Sequence, residues 1–132
     1  MDLKELKKGK VIVFGDIMLD KYLSGSIDRI SPEAPVPVLN PSSEEIRLGG
    51  AANVALNLSS LGVKTTLLGV TGKDDDSEKI IDLLKRNKIR FSLRRSAVPT
   101  ISKTRLLSSQ QQLIRIDEEE KFSDADLSLI HI

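Results

Sequence analysis

The chain has 132 residues, 20 Lys plus Arg against 19 Asp plus Glu, 39% hydrophobic residues, five Pro, eight Gly and no Cys, the composition of one folded domain or part of one rather than of a disordered tail. A net charge of +1 gives no broad field to recruit nucleic acid or an anionic membrane, the lack of Cys excludes disulfides, thiol nucleophiles and Cys-ligated zinc, and a single His, His131, excludes multi-histidine metal sites. The charged Met1–Lys10 start has no signal-peptide core and no apolar run approaches the ~20 residues of a bilayer span, so a cytoplasmic setting is expected.

Val11-Ile12-Val13-Phe14 is a continuous β-branched and aromatic run before Gly15-Asp16 and reads as a parallel strand buried on both faces. From Tyr22 to Leu48 the prolines at 32, 35, 37 and 41 forbid a long helix and favour edge strands and turns, an excursion from the main sheet. Gly49-Gly50 opens a helix over Ala51 to Leu61, with Val54, Leu58 and Leu61 at helical spacing and Gly62 as C-terminal cap. Lys64 to Val70 is the next strand and Gly72 a turn. Ser77 to Lys88 is a second helix with Ile80, Ile81, Leu83 and Leu84 inward and Asp82–Arg86 as an i,i+4 pair. Strand and helix alternating in this order predict an α/β fold with a mostly parallel sheet. Ile101 to Leu107 and Gln112 to Ile116 have strand composition around a polar Ser108–Gln111 link, which predicts a hairpin or strand pair.

Three groups of residues could carry chemistry. Gly49-Gly50-Ala51-Ala52-Asn53 lets a ligand approach a helix N-terminus, where amides and the Asn53 amide group suit an anion or sugar hydroxyls; the same small residues also allow tight packing. Asp16 and Asp20 follow the first strand at the end where open α/β sheets bind ligands, and each can accept sugar hydroxyls or simply cap a turn. Lys103 and Arg105 share one face of a pleated strand, with Arg115 nearby, and two cations there can hold a phosphate or merely solvate the face. No Walker-type phosphate loop and no Gly-x-Gly-x-x-Gly fingerprint follows a strand.

Taken together, these residues resemble the ribokinase-like, or PfkB, carbohydrate kinases: Gly49-Gly50-Ala51, Asn53, Ala55, Gly62 and Gly72 stand at the intervals of that family's first signature. Within the family, Gly15-Asp16-x-Met18-Leu19-Asp20-x-Tyr22, the run Arg29 to Val38, Pro99 to Arg105 and Gln111 to Asp117 are similar to the D-glycero-β-D-manno-heptose-7-phosphate kinases. The resemblance implies the N-terminal part of a ribokinase-like domain over residues 1–126, truncated, with a small β-lid near 22–48 that pairs two copies as a homodimer. It implies ATP- and Mg2+-dependent phosphoryl transfer to the anomeric hydroxyl of heptose 7-phosphate, a step toward the ADP-heptose of lipopolysaccharide cores. Residues matching Asp16, Gly49, Gly50 and Asn53 hold sugar hydroxyls in such enzymes; Asp20 is grouped with them, and Lys103 and Arg105 become candidates for the sugar phosphate.

The family's second signature, Asp-Thr-x-Gly-Ala-Gly-Asp, is absent, so no catalytic residue or metal ligand is assigned and the chain alone is expected to be inactive. Two other readings remain open: a non-catalytic sugar-phosphate binding or dimerisation module, and another PfkB-type sugar kinase, against which the Ile30–Val38 run argues. The last six residues, Leu127 to Ile132, translate CTGTCTCTTATACACATC, which resembles a transposon end used in DNA library preparation; residues 127–132 are therefore expected to be a non-native tail. Ser123-Asp124-Ala125-Asp126 before them reads as a helix start.

Overall fold

Apolar runs broken by glycine and polar turns fold into two sheets in a computed structural model that describes residues 3–128. His131 and the rest of the expected tail beyond Ser128 lie outside the described residues. The elements are α1 (Leu3–Leu6), β1 (Lys10–Phe14), β2 (Ile17–Ile30), β3 (Pro37–Gly50), α2 (Ala51–Ser60), β4 (Lys64–Thr71), α3 (Asp75–Arg86), β5 (Arg90–Arg95), β6 (Ile101–Ser108), β7 (Gln111–Glu118) and α4 (Asp124–Ser128).

The first sheet has the order β1-β4-β5 and is parallel throughout, Val11 facing Thr65 and Leu67 facing Phe91. The helices α2 and α3 supply its crossovers. Strand β5 has no counterpart in the sequence reading, because Arg90, Arg94 and Arg95 hide the alternation that Phe91 and Leu93 carry inward. The second sheet has the order β3-β2-β6-β7, with β2 parallel to β6 and antiparallel to β3.

The excursion is thus larger than its prolines suggested. Two 14-residue strands run unbroken from Ile17 and into Gly50, and the later strand pair joins the same sheet instead of standing apart. Pro37 starts its strand, and Pro41 sits opposite Gly25 where the register slips, positions at which a missing N–H is tolerated. The β6–β7 hairpin closes through Ser109 and Gln110, at φ 49 and 64, the two-residue turn whose twist suits antiparallel strands.

The core gathers Ile17, Leu19 and Leu48 from the second sheet, Leu67 from β4, Ala52 and Ala55 from α2, and Ile80, Leu84 and Ile89 from α3 and its exit. This revises three expectations. Strand β1 is covered on one side only: Val13 packs inward while Ile12 and Phe14 are 56% and 62% exposed. On α2 the buried residues are Ala52 and Ala55, which seat the helix close to the sheets, and Val54 and Leu61 face outward. Asp82 and Arg86 form no ion pair among the described residues; α3 is instead anchored at its start, where Asp74 accepts the Ser77 N–H, so the helix begins two residues before Ser77.

Candidate sugar-binding site

The site residues converge where β1 hands over to β2 and β3 hands over to α2. The turn at Gly15-Asp16 brings the Asp16 carbonyl to the first N–H of α2, that of Ala51, at 2.8 Å. Gly50 makes this approach possible: at φ 57 and ψ −134 it occupies a region essentially reserved for glycine, and a Cβ there would strike the Asp16 carbonyl oxygen. No side chain caps the helix, so its start is formed by main chain alone. One amide of the expected ligand-facing set is therefore already engaged.

Gly49 serves a neighbouring side chain. A Cβ at this position would lie 2.7 Å from Asp20 Oδ2, so the glycine leaves room for that carboxylate. Asp20 Oδ1 in turn accepts from Arg105 Nη1 at 2.9 Å, a half-buried pair that holds the Arg105 guanidinium above its usual pKa, the hydrogen bond to Asp20 being the main cause. A cleft of about 300 Å3 is bordered by Asp20, Tyr22, Arg47 and Asn53, with Leu56 and Leu83 among its apolar walls. Asp20, Gly49, Asn53 and Arg105 are thus drawn together. The exposed Asp16 borders a different, more apolar pocket of about 370 Å3 with Phe14, Val70, Phe122 and Leu127, although its main chain touches α2.

Lys103 and Arg105 do share a face, as strand alternation requires. Directly opposed residues place Arg47, Asp20, Lys103 and Asp117 in one row of the second sheet, and Glu45, Tyr22, Arg105 and Arg115 in the next. Carboxylates accompany each of these cations. Lys103 reaches Asp117 at 3.1 Å and Glu119 at 3.5 Å, Arg115 meets Asp117 at 2.8 Å, and Arg47 meets Glu45 at 2.7 Å. The bonds from Lys103 and then Arg115 hold Asp117 below its ordinary carboxylate range.

A second polar cluster, missed from sequence, ties the two sheets together. Asp74 Oδ1 accepts from Ser77 N at 2.9 Å and Thr100 Oγ1 at 2.6 Å, and Oδ2 accepts from Thr100 N at 2.8 Å. Thr100 Oγ1 also receives the Gly72 N–H, the buried Ser77 hydroxyl donates to Thr71, and Arg95 Nε donates to the Gly72 carbonyl. Burial alone would raise the Asp74 pKa, but the Thr100 and Ser77 donors and the Arg95 charge outweigh it and leave the carboxyl below its ordinary value. The pattern Gly72-x-Asp74-x-x-Ser77 is a helix-cap signal that could have revealed it. Tyr22 and Arg47 were also passed over as site residues, and only the cross-strand register brings them in.

Among the described residues no group of three or more His, Cys, Asp or Glu is placed to hold a metal ion. No described helix is long and apolar enough to cross a membrane.

Residues 8–128 match the family described as pfkB family carbohydrate kinase. The chain is 48% identical over 121 residues to the bifunctional protein HldE of Histophilus somni, covering 91% of this chain and 26% of that protein. It is likewise 48% identical over 129 residues to HldE of Aeromonas hydrophila, covering 97% of this chain and 27% of that protein. The chain therefore spans about a quarter of the length of these relatives. Among solved structures, a putative phosphofructokinase from Staphylococcus aureus superposes with a TM-score of 0.73 at 19% identity, over 92% of this chain and 37% of that one. Phosphofructokinase-2 from Escherichia coli, in complex with fructose-6-phosphate, gives 0.71 at 16% identity, over 92% and 39% of the two chains. These two likenesses establish the ribokinase-like fold.

Proposed function

Because the chain belongs to the pfkB family of carbohydrate kinases, we propose that it is the sugar-holding half of an enzyme that phosphorylates D-glycero-β-D-manno-heptose 7-phosphate at its anomeric hydroxyl in the bacterial cytoplasm. The observation that carries this reading is the Asp20 carboxylate, laid over Gly49, bonded to Arg105 and sharing a cleft with Asn53. A carboxylate accepts hydroxyl protons and an asparagine both donates and accepts, the pairing that a polyol needs, and a guanidinium beside them suits a phosphate. Asp16 would contact the sugar from the neighbouring pocket, and Gly49 and Gly50 shape the entry to α2 by making room for the Asp20 carboxylate and the Asp16 carbonyl. The runs Gly15 to Tyr22, Arg29 to Val38, Pro99 to Arg105 and Gln111 to Asp117, which resemble heptose-7-phosphate kinases, favour a heptose over ribose or a nucleoside.

ATP, with Mg2+, supplies the phosphoryl group and offsets its charge in this chemistry. The 132 residues contain no Asp-Thr-x-Gly-Ala-Gly-Asp run, so binding without turnover is the behaviour expected of this chain, and within it Asp20, Asn53, Lys103 and Arg105 bind and orient the sugar phosphate. The excursion also exposes Ile30 and Val36, apolar surface through which the β-lid of residues 22–48 would pair with that of a second copy as a homodimer. Charge reversal tests the phosphate assignment: Arg105→Glu is expected to abolish measurable heptose 7-phosphate binding by calorimetry. Unchanged affinity would remove Arg105 from the site, and heptose-phosphate-dependent ATP consumption by the purified chain would refute the non-catalytic half.

A further inference from the structure

Two guanidiniums lie against the Tyr22 ring, that of Arg47 at 4.6 Å from the centroid and that of Arg105 at 5.2 Å. An aromatic face attracts a guanidinium and limits its tilt, so one phenol ring keeps two mutually repelling cations together beside the cleft bordered by Asp20 and Asn53. Each arginine keeps donors beyond its carboxylate bond: Glu45 takes Arg47 Nε and Asp20 takes Arg105 Nη1, whereas a guanidinium carries five N–H groups in a fixed fork. The two pairs differ in strength. Arg47–Glu45 is 57% and 61% exposed and joins residues two apart on one strand, so water screens it and a dianion can take the place of Glu45. Arg105–Asp20 is about 20% exposed and links two strands. Tyr22 stands two residues beyond Asp20, about 6.6 Å along the strand, a separation on the scale of a sugar with its phosphate extended outward.

We propose that Arg47 and Arg105 together grip the phosphate of a sugar phosphate whose hydroxyls lie at Asp20 and Asn53, with Tyr22 as the positioning residue for both guanidiniums. This rests on the sugar-phosphate reading above and adds Arg47 and Tyr22 to it. Glu45 acts as the resident carboxylate that the phosphate displaces.

Calorimetric titration of the full chain with heptose 7-phosphate and with the unphosphorylated heptose, and in parallel with fructose 6-phosphate and fructose, gives the factor by which phosphate tightens binding of each sugar. Arg47→Met is expected to lower that factor about tenfold, the loss of one charge-assisted contact, while affinity for the unphosphorylated sugar stays the same. Tyr22→Leu lowers the factor similarly and Tyr22→Phe retains it, because the ring and not the hydroxyl holds the cations. Glu45→Gln raises it roughly two- to threefold by removing the competitor. The proposal is overturned if Arg47→Met leaves the factor unchanged, if Arg47→Met and Tyr22→Leu weaken both members of a pair equally, or if the unaltered chain shows no preference for either phosphorylated sugar. Should fructose 6-phosphate show the Arg47-dependent factor while heptose 7-phosphate does not bind, the clamp stands and the heptose assignment fails.

Discussion

The chain carries two polar clusters of similar size, one around Asp74 and one around Tyr22, and they are built in opposite ways. At Asp74 the partners are mostly main-chain amides and short hydroxyls, Thr71, Ser77 and Thr100 are buried, and the cluster joins β4, α3, β5 and the start of β6. Around Tyr22 the partners are long charged side chains on one sheet face, running from the half-buried Arg105–Asp20 pair to the exposed Arg47–Glu45 pair and joined to one another. A closed cluster with fixed partners specifies structure, and an open one with exchangeable partners can trade a carboxylate for a ligand.

Substitutions sharpen that contrast, the largest on the closed side. Asp74→Ala removes the α3 cap and strands the Thr100 and Ser77 donors, and is expected to cost about 3 kcal/mol in urea unfolding. Gly50→Ala, at the junction between the two regions, is expected to cost about 2 kcal/mol from its φ of 57 and the Asp16 carbonyl in its way. Thr100→Val, which keeps shape but leaves the Gly72 N–H unpaired, should cost about 1–2 kcal/mol. On the open side, Lys103→Ala should change stability by less than about 1 kcal/mol, since its partners Asp117 and Glu119 remain solvated. A loss of about 3 kcal/mol there would erase the distinction.

Acid titration separates the clusters again. The Asp74 carboxyl is held below its ordinary value, so the unfolded chain takes up its proton first as pH falls. Its contribution is complete above the ordinary carboxylate pKa of roughly 3.9 and disappears as pH drops through the lowered folded value. Asp74→Asn should therefore show a flatter acid limb in a melting-temperature profile. Asp117 is lowered too, but it stands in solvent, and its removal should leave that limb nearly unchanged.

Much of this was legible in the sequence where one rule governed a segment. Gly62 after a helical run, the alternation of Lys103 and Arg105, and the polar link before Gln112 each led to the observed α2, shared face and β6–β7 hairpin. The parallel β1-β4 pairing also followed from strand–helix order. What stayed hidden depended on partners far along the chain. Val54 and Leu61 have helical spacing yet face outward, because Ala52 and Ala55 allow the closest seating of α2. Phe14 looked buried, and only the sheet order leaves one of its faces bare. Arg47 drew no attention in an exposed-looking run, and it enters the site through its register with Asp20 across the hairpin.

The Asp20–Asn53 cleft and the neighbouring arginines are proposed to hold a heptose phosphate. The most direct measurement is a calorimetric titration of the purified chain with D-glycero-β-D-manno-heptose 7-phosphate, repeated on Asn53→Ala. Saturable binding that Asn53→Ala weakens at least about tenfold, the loss of hydrogen bonds to the sugar, is the expected result. Absence of saturable binding up to millimolar ligand, or equal affinity in the two proteins, would contradict it.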